Sequence, residues 1–217
     1  MGKVSSVATV EYSKIVRCTL DDLRKILRWT KNLGFSVVRI CKAFLQRTDY
    51  ARWQKNISYV PDWDERNVII ARHIPTGSTV LDLGAGAQTL RRYLKAGCLY
   101  VPCDLIKSSP DCLVCDFNDG DYPQIARQYD FSVCSGLFEY VREPLKFLRC
   151  IKSYAGTVMF SYCPWGGRKI ERITRLEQGW INHLTMEQLE ELFRQAGYTW
   201  QRIGEWQDHL IYQLHPD

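Results

Sequence analysis

A predicted strand that runs into a glycine turn is the feature of this sequence best suited to chemistry. Residues 80–88 read VLDLGAGAQ, in which Gly84 and Gly86 let the backbone turn tightly and approach a ligand closely. Asp104 ends the next predicted strand, about 20 residues on, where a carboxylate can accept hydrogen bonds from both hydroxyls of a ribose. Together these features predict a ligand that contains ribose.

The residues around this turn narrow the choice of nucleoside. A nicotinamide-binding turn would carry a third glycine where this chain has Thr89, and a phosphate-cradling loop would carry a lysine that is missing here. Asp116 and Phe117 follow the third predicted strand, where they offer a carboxylate for an amino group and an aromatic face for a purine. The pattern favours adenosine without phosphates over NAD or ATP.

The elements that must position these residues alternate between strand and helix from residue 79 onward, as in a parallel sheet covered by helices. The last two predicted strands lie too close together for a parallel crossover, so we expect an antiparallel hairpin. The predicted strands are 79–83, 99–103, 112–115, 130–134, 157–162, 198–203 and 209–214; the predicted helices are 87–95, 121–128, 143–153 and 185–196, the last opened by Thr185 and closed by Gly197.

Helical patterns also precede this unit. Two amphipathic helices are predicted before residue 46, an aromatic-rich linker follows, and Asp62 or Asp64 caps a third helix. We therefore expect a helical N-terminal cap, residues 1–60, and a ligand-binding domain, residues 61–217. The cap holds 12 Lys and Arg against 4 Asp and Glu. Such an excess suits a nucleic acid, a membrane surface or an anionic substrate, and a solvated helix face explains it equally well.

Composition excludes several classes of protein. With 217 residues, 46% hydrophobic and 24% charged, the chain has the composition of a globular domain and not of a disordered or collagen-like one. No apolar run approaches the length of a membrane span, and the first residues lack a signal-peptide core, so we expect a cytoplasmic protein. The nine cysteines are scattered, which predicts reduced thiols and no metal site.

The motifs together resemble those of class I S-adenosylmethionine-dependent methyltransferases, in the group that acts mostly on small molecules. The resemblance covers about residues 62–214. It includes VLDLGAG, the acids at the ends of strands two and three, YDFSVCSG at 129–136, and LTMEQL at 184–189 followed by AGY at 196–198. It implies an α/β, Rossmann-like fold with a seven-stranded sheet, mostly parallel with an antiparallel last strand, helices on both faces, and S-adenosyl-L-methionine as the cofactor.

The resemblance also assigns the cofactor-binding residues one by one. The glycine turn would line the methionine part, with Asp82 near its amino group. Asp104 would bind the ribose, Asp116 and Phe117 the adenine, and the residues after strand four would lie beside the sulfonium. The full set is Asp82, Gly84, Ala85, Gly86, Asp104, Leu105, Asp116, Phe117, Ser135 and Gly136. Gln88 stands where many members carry another glycine.

The segment 162–184 is the best candidate for binding the methyl acceptor, because it is long for a simple connection and rich in basic and aromatic residues. A solvated amphipathic helix over 168–178 is the alternative. His183 is the first candidate for a catalytic base, since its pKa suits neutral chemistry, and Glu139 is the second. The candidate substrate-binding residues are Trp165, Arg168, Arg172, Trp180 and Asn182.

Other polar and aromatic residues near the predicted site receive structural roles. Arg66 and Trp63 precede the first strand at the mouth of the site; packing is predicted for them, and contact with the cofactor is the alternative. His209 and Asp208 belong to the hairpin and are set aside as bases.

The reaction predicted first is O-methylation of a small acceptor, anionic or saccharide-like. Cys163 is disfavoured as a nucleophile because it follows strand five, and the sequence lacks the Asn-Pro-Pro-Tyr expected of enzymes that methylate base amino groups. Two alternatives remain: methylation of RNA or another macromolecule bound by the basic cap, and a methyltransferase-like interaction subunit without catalysis.

Overall fold

Seven strands form one sheet at the centre of the molecule. The computed structural model describes residues 34, 37–43, 45–55, 64–126, 128–166 and 172–217. The strands are β1 (Thr79–Leu83), β2 (Leu99–Asp104), β3 (Leu113–Val114), β4 (Tyr129–Ser135), β5 (Ala155–Tyr162), β6 (Tyr198–Trp206) and β7 (His209–Pro216). Their order across the sheet is β3-β2-β1-β4-β5-β7-β6. All seven predicted strands are therefore present.

The strand order reverses beside β1, and this reversal creates the crevice for a ligand. β1 pairs in parallel with β2 on one side and with β4 on the other. Leu83, the last residue of β1, lies opposite Cys103 of β2 and Cys134 of β4. The loops that follow these three strands therefore leave the same edge of the sheet side by side, as expected at a topological switch point.

The final hairpin closes the other side of the sheet. β7 pairs antiparallel with both β5 and β6, and Trp206 lies opposite His209 at the hairpin turn. Because β7 runs against the other strands, its first residues lie at the same edge as the carboxyl ends of the parallel strands. The predicted antiparallel hairpin and antiparallel last strand are confirmed.

Helices cover both faces of the sheet, as predicted. The helical segments are α1 (37–43), α2 (Tyr50–Lys55), α3 (Asp64–Arg72), α4 (Pro144–Ile151), α5 (Arg172–Glu177) and α6 (Met186–Ala196). Successive side chains of a strand point to opposite faces, so Val80 packs with Ile70 of α3 and Leu81 belongs to the cluster that includes Phe147 of α4 and Phe193 of α6. The first predicted helix of the cap lies outside the described residues, as does Asp62.

The ends of α6 follow from the sequence. Thr185 accepts a hydrogen bond from the Gln188 backbone, and the Gln188 side chain accepts one from the Thr185 backbone, which completes a capping box. Gly197 ends the helix with φ +78°, a left-handed conformation that glycine adopts without steric cost. This helix lies where the sequence predicted it.

Two helix predictions are wrong. Over 87–95 the structure has only a 3₁₀ turn, Thr89–Arg92, because Gln88 adopts a left-handed φ of 57° that interrupts a helix. The segment 121–128 has no helix in its described residues. Pro123 disfavours helical geometry at the residue before it, and Asn118 instead holds this region by bonding to the Tyr140 carbonyl, 2.9 Å, and to the Arg142 amide, 2.8 Å.

None of the helices in the described ranges combines the length and hydrophobicity that a bilayer crossing requires.

Candidate active site

A cavity of about 410 Å³ opens at the carboxyl edge of β1, β2 and β4. Its size falls within the range of small-molecule sites. All ten residues predicted to bind the cofactor line it: Asp82, Gly84, Ala85, Gly86, Asp104, Leu105, Asp116, Phe117, Ser135 and Gly136. The cavity continues beyond them into a second half, formed by α2, α3, α5 and the β6–β7 turn, which we call the acceptor half.

The turn after β1 is held in a shape that only glycine allows without strain. Gly84 has φ +74°, and its amide donates to the Cys103 carbonyl at 2.8 Å. A Cβ at this position would lie 3.0 Å from the Leu137 side chain. The turn and the loop after β4 therefore approach each other so closely that a larger residue would displace one of them.

The Asp104 carboxylate lies at the end of β2 and faces this turn. Its Oδ2 accepts from the Gly86 amide at 2.7 Å, and its Oδ1 accepts from the Ile106 amide at 3.2 Å. Burial raises the pKa of Asp104, and these backbone hydrogen bonds act in the opposite direction. The arrangement presents a fixed hydrogen-bond acceptor where a ribose would lie.

Asp82 is a buried carboxylate beneath the glycine turn. It is 4% exposed and accepts a hydrogen bond from the Tyr100 hydroxyl at 2.6 Å. Burial raises the pKa of Asp82 to about 7; the Tyr100 hydrogen bond opposes this shift, and Asp104 adds to it. A cationic amino group nearby would favour the ionised form, which suits the predicted role of Asp82 beside the methionine amino group.

The raised pKa of Asp82 predicts that the free energy of unfolding depends on pH. Because the folded pKa lies above that of an unfolded aspartate, folding favours the protonated form, and this contribution is lost as the pH rises from about 4 to about 7. Between pH 5 and pH 8 the cofactor-free wild type should lose on the order of 2 kcal/mol of unfolding free energy relative to Asp82→Asn. Denaturant unfolding of both proteins at the two pH values measures this. If the difference in unfolding free energy between the wild type and Asp82→Asn were the same at both pH values, the raised pKa of Asp82 would be contradicted.

Asp116 and Phe117 lie at the far end of the cavity. The Asp116 carboxylate accepts from the Asn118 amide at 2.9 Å and from the hydroxyl of Tyr50, a residue of α2. The hydrogen bond to Asp116 is the main cause that raises the pKa of Tyr50 to about 12. Phe117 packs edge-on against Phe147 with 5.2 Å between ring centroids. The cap thus contacts the residues predicted to bind adenine.

Gln88 does not line the cavity. Its side-chain amide donates to the Ser108 hydroxyl at 2.9 Å and to the Ser109 hydroxyl at 2.7 Å. It therefore ties the turn after β1 to the loop between β2 and β3, a structural use of a position where many members of the resembling family have glycine.

The loop after β4 lies between the two halves of the cavity. The Ser135 hydroxyl donates to the Asn67 side chain at 3.1 Å, and the Gly136 amide donates to the Ser161 hydroxyl at 3.0 Å. A Cβ at Gly136, whose φ is +68°, would lie 2.6 Å from the Arg66 guanidinium. Glycine at this position is what allows Arg66 to cover the loop.

Glu139 lies at the centre of the acceptor half and is completely buried. Its Oε1 accepts from the Cys163 amide at 2.9 Å and lies 3.6 Å from His209 Nε2, whereas its Oε2 has no hydrogen-bond partner among the described residues. Burial raises the pKa of Glu139, and nearby Arg66 and Arg175 oppose the shift. A buried carboxylate oxygen without a partner is rare in folded proteins and calls for an explanation, and its residue lines the cavity, so a bound ligand is a candidate partner.

His209 comes from the β6–β7 turn, and its side chain is 12% exposed. Its ring lies 5.4 Å from the Trp206 ring and 6.1 Å from the Trp180 ring, between centroids. Burial lowers the pKa of His209 to about 3, and Arg66 and Arg175 add to the effect. The imidazole is therefore neutral at physiological pH.

Arg175 fixes the position of the 162–184 segment. It is fully buried, donates to the Cys163 carbonyl at 2.9 Å and to His183 Nδ1 at 3.1 Å, and stacks over Trp180. Leu176, the next residue of α5, is also buried. The described residues of 168–178 therefore form a helix with one face packed against the domain and with Thr174 and Gln178 exposed, as in the amphipathic-helix alternative.

The structure separates the predicted substrate-binding residues. Trp180 lines the cavity, and its indole donates to the Tyr140 hydroxyl at 3.2 Å. Asn182 is buried behind the wall, where it accepts from the Tyr162 hydroxyl at 2.7 Å and donates to the Val141 carbonyl at 3.0 Å. Trp165 packs edge-on against His183 at 5.4 Å, and neither contributes to the cavity wall. Arg168 and the Arg172 side chain lie outside the described part of the chain.

Sequence reasoning missed three residues of the acceptor half, namely Arg66, Trp206 and His209. The signal for the last two was the predicted topology, because the turn before an antiparallel last strand lies at the ligand-binding edge of the sheet. The signal for Arg66 was its place just before the first strand, at the mouth of the site, but packing was preferred to a contact with the ligand.

The ten residues predicted to bind the cofactor line the part of the cavity that we call the cofactor half, and they fit S-adenosylmethionine. Gly84 and Gly86 line the cavity without side chains, so a ligand can lie against their backbone, and the Asp104 carboxylate lies beside them, held by the Gly86 amide. Asp116 and Phe117, predicted to bind adenine, line the cavity, and no lysine is among the described residues that line it. Among the described residues, no group of three or more His, Cys, Asp or Glu is arranged to hold a metal ion.

Comparison with known proteins identifies the same architecture. Residues 45–202 match the family model described as "Methyltransferase domain". Among curated proteins, none matches the chain.

Solved structures with a similar fold include three methyltransferases. A SAM-dependent methyltransferase from Aquifex aeolicus has a TM-score of 0.58 and 17% identity, over 78% of this chain and 98% of that one. The 1,6-didemethyltoxoflavin-N1-methyltransferase of Burkholderia thailandensis, with 1,6-didemethyltoxoflavin and S-adenosylhomocysteine bound, has a TM-score of 0.54 and 17% identity, over 100% and 94%. The methyltransferase CalO1 of calicheamicin biosynthesis, with S-adenosylhomocysteine bound, has a TM-score of 0.55 and 19% identity, over 71% and 54%, so the chain spans about half of that protein. At these identities the likeness shows the fold.

Proposed function

We propose, from the premise that this chain belongs to the class I S-adenosylmethionine-dependent methyltransferases, that it methylates a hydroxyl oxygen of a small acceptor. The observation that carries the proposal is the unpartnered Oε2 of Glu139, buried at the wall of the acceptor half. An acceptor hydroxyl must lose its proton when its oxygen takes a methyl group, and Glu139 supplies the oxygen atom that receives this proton.

Bound S-adenosylmethionine would supply an activated methyl group, to which the acceptor oxygen bonds in line while the methyl–sulfur bond breaks and S-adenosylhomocysteine leaves. The work of the protein is then to orient the two reactants and to manage the proton. Ser135 and Gly136 hold the loop at which the two halves of the cavity meet. Burial raises the pKa of Glu139 towards neutral pH, and a general base is most efficient when its pKa lies near the working pH.

Glu139 replaces His183 as our first candidate base. His183 accepts a hydrogen bond from the Arg175 guanidinium and does not line the cavity. We assign His183 a positioning role, because it holds Arg175, and the Arg175 guanidinium stacks on Trp180, which lines the cavity.

The shape of the acceptor half favours a small acceptor. Three indole rings, those of Trp53, Trp180 and Trp206, line it together with the buried side chains of Arg66 and Glu139. Aromatic walls with a few placed polar groups are typical of small-molecule sites. Two of the similar structures have names that refer to small molecules: one methylates 1,6-didemethyltoxoflavin, and the other acts in calicheamicin biosynthesis.

An acceptor screen tests the proposal. The full chain is incubated with S-adenosylmethionine and pools of hydroxylated small molecules, and the release of S-adenosylhomocysteine is measured. We expect release that depends on one pool and a product whose new methyl group is bonded to oxygen. Methylation at nitrogen or carbon would contradict the proposal, and no release with any pool would favour the non-catalytic subunit.

RNA is the second candidate acceptor, and one observation favours it. Arg39, Lys42, Arg47 and Arg52 line a groove beside the cavity. An RNA substrate held by these side chains would bind less tightly as salt rises from about 50 to about 200 mM, whereas a small acceptor would respond weakly. The screen therefore includes total RNA at both salt concentrations.

A further inference from the structure

A groove beside the cavity collects cationic side chains of the helical cap, and we call it the basic groove. Its volume is about 30 Å³, and Asp49 is the one acidic residue among the described residues that line it. Lys42 forms an ion pair with Asp49. The other cations of the lining therefore have no negative partner there. The cationic residues of the groove are Arg39, Lys42, Arg47 and Arg52.

The three arginines of the groove retain most of their hydrogen-bonding capacity. The side chains of Arg39 and Arg47 form no hydrogen bond or ion pair with any described residue. Arg52 donates one hydrogen bond to the Gln178 carbonyl, whereas its Nε is buried and has no partner among the described residues. A buried donor without a partner is rare and calls for an explanation. Because each guanidinium carries five N–H donors, the groove offers many donors to an anion.

The basic groove is separate from the predicted cofactor residues but opens beside the acceptor half. None of the ten residues predicted to bind the cofactor is among the described residues that line the groove. Trp53 and Tyr140, whose rings pack edge-on with 4.9 Å between centroids, line both the groove and the cavity. Tyr140 follows Glu139 in the chain. S-adenosylmethionine has no phosphate, and its methionine part is predicted at the glycine turn, so an anion in the groove belongs to a second ligand. The residues shared by groove and cavity are Thr48, Trp53, Asn118 and Tyr140.

The size and the charge of the groove favour a single phosphate group. A volume of about 30 Å³ gives room for about two or three water molecules, which suits one tetrahedral anion and is too little for a ring. A phosphate monoester carries nearly two negative charges and three acceptor oxygens, so it balances several cations better than one carboxylate does. The planar guanidinium of arginine also matches phosphate oxygens with paired hydrogen bonds.

We propose that the basic groove binds a phosphate group of the methyl acceptor, which makes the acceptor a small, hydroxylated phosphate ester. The inference rests on the proposed function above and deepens it by naming the class of substrate. The phosphate pairs with the three arginines, and the organic part extends past Trp53 into the acceptor half, where its hydroxyl meets Glu139. RNA, whose backbone consists of phosphodiesters, is a separate outcome of the test.

The test measures binding to the full chain saturated with S-adenosylhomocysteine, by calorimetry at a salt concentration of about 150 mM. Phenyl phosphate is compared with phenol, its uncharged counterpart, and inorganic phosphate is added as a competitor. We expect phenyl phosphate to bind at least about tenfold more tightly than phenol and inorganic phosphate to displace it. Equal binding of phenyl phosphate and phenol would overturn the inference. A single-stranded RNA that displaces phenyl phosphate and binds more than about tenfold more tightly would assign the groove to RNA and overturn the small phosphate ester.

Variants then assign the preference to the groove. The double variant Arg39→Met, Arg47→Met removes two cations whose side chains hold no described residue, so the fold should be unaffected. Its preference for phenyl phosphate should fall below about threefold, while S-adenosylhomocysteine affinity stays within about threefold. Lys55→Met is the matched control, because Lys55 is an exposed cation of α2 that does not line the groove, and it should keep the preference. A preference that survives in the double variant, or that is lost in Lys55→Met, would show that the groove is not the site.

The failure of this inference can be distinguished from the failure of the proposed function. The binding measurements require no methyl transfer, so they remain valid if the acceptor screen finds methylation at nitrogen or carbon. A wild type that binds S-adenosylhomocysteine without any preference for phenyl phosphate would overturn the inference alone. A wild type that does not bind S-adenosylhomocysteine at all would overturn the proposed function itself.

Discussion

Replacing Asp104 with alanine should weaken the binding of S-adenosylhomocysteine at least about 100-fold. A carboxylate that accepts hydrogen bonds from two ribose hydroxyls contributes about 1.5–3 kcal/mol through each bond, and about 1.4 kcal/mol corresponds to tenfold. Asp104 also holds the Gly86 amide at 2.7 Å, so its loss loosens the glycine turn as well. Calorimetric titration of the wild type and the variant measures the effect.

Two further variants make this result specific. Asp104→Asn keeps the size of the side chain but lacks the charge, and we expect an intermediate loss of affinity. Asp111→Ala removes an exposed carboxylate that lies beyond the cavity wall, paired with Arg91 at 3.7 Å, and should bind like the wild type. If a well-folded Asp104→Ala protein bound the cofactor product normally, the assignment of the ribose site would be wrong.

Replacing Glu139 with glutamine should lower kcat by a factor of about 10²–10⁴ with an acceptor found in the screen. Glutamine is close to glutamate in shape and can still accept from the Cys163 amide, so the cavity is preserved, but it cannot take up a proton. S-adenosylhomocysteine affinity should change less than about threefold, because Glu139 lies in the acceptor half. Steady-state kinetics and titration separate the two effects.

The pH dependence provides an independent check on Glu139. A base must be deprotonated to act, so the wild-type kcat should fall as the pH drops through the raised pKa of Glu139, and Glu139→Gln should lack this acidic limb. His183→Gln is the matched control, since glutamine retains an acceptor for Arg175, and its kcat should stay within about threefold of the wild type. A larger loss in His183→Gln than in Glu139→Gln would return the role of base to the histidine.

The cofactor half of the site could be predicted from the sequence because its geometry is local. Gly84 and Gly86 follow a buried strand closely, Asp104 ends the next strand, and Asp116 lies two residues after the third. Parallel strands place all of their carboxyl ends at one edge, so knowing the strands is enough to bring these residues together. The same reasoning predicted the hairpin.

Local patterns failed where a backbone conformation or a tertiary contact prevailed over helical periodicity. The left-handed Gln88 reduces one predicted helix to a 3₁₀ turn, and its side chain is held by two serines from another loop. Before Pro123, the Asn118 side chain donates to the Tyr140 carbonyl and accepts from the Arg142 amide, and these bonds hold an irregular segment next to the predicted helix. Neither contact is visible in a window of neighbouring residues.

The acceptor half was decided by the tertiary structure. Arg66 precedes the sheet in the chain, Glu139 follows β4, and His209 lies in the last hairpin, yet the three line one cavity. The sequence by itself determined the family, the fold and the ten predicted cofactor residues that line one cavity, because each depends on a motif next to a strand. The residues that face the acceptor converge from segments far apart in the chain, and only the packing of α3 and the hairpin against the sheet edge brings their charges within reach of one another.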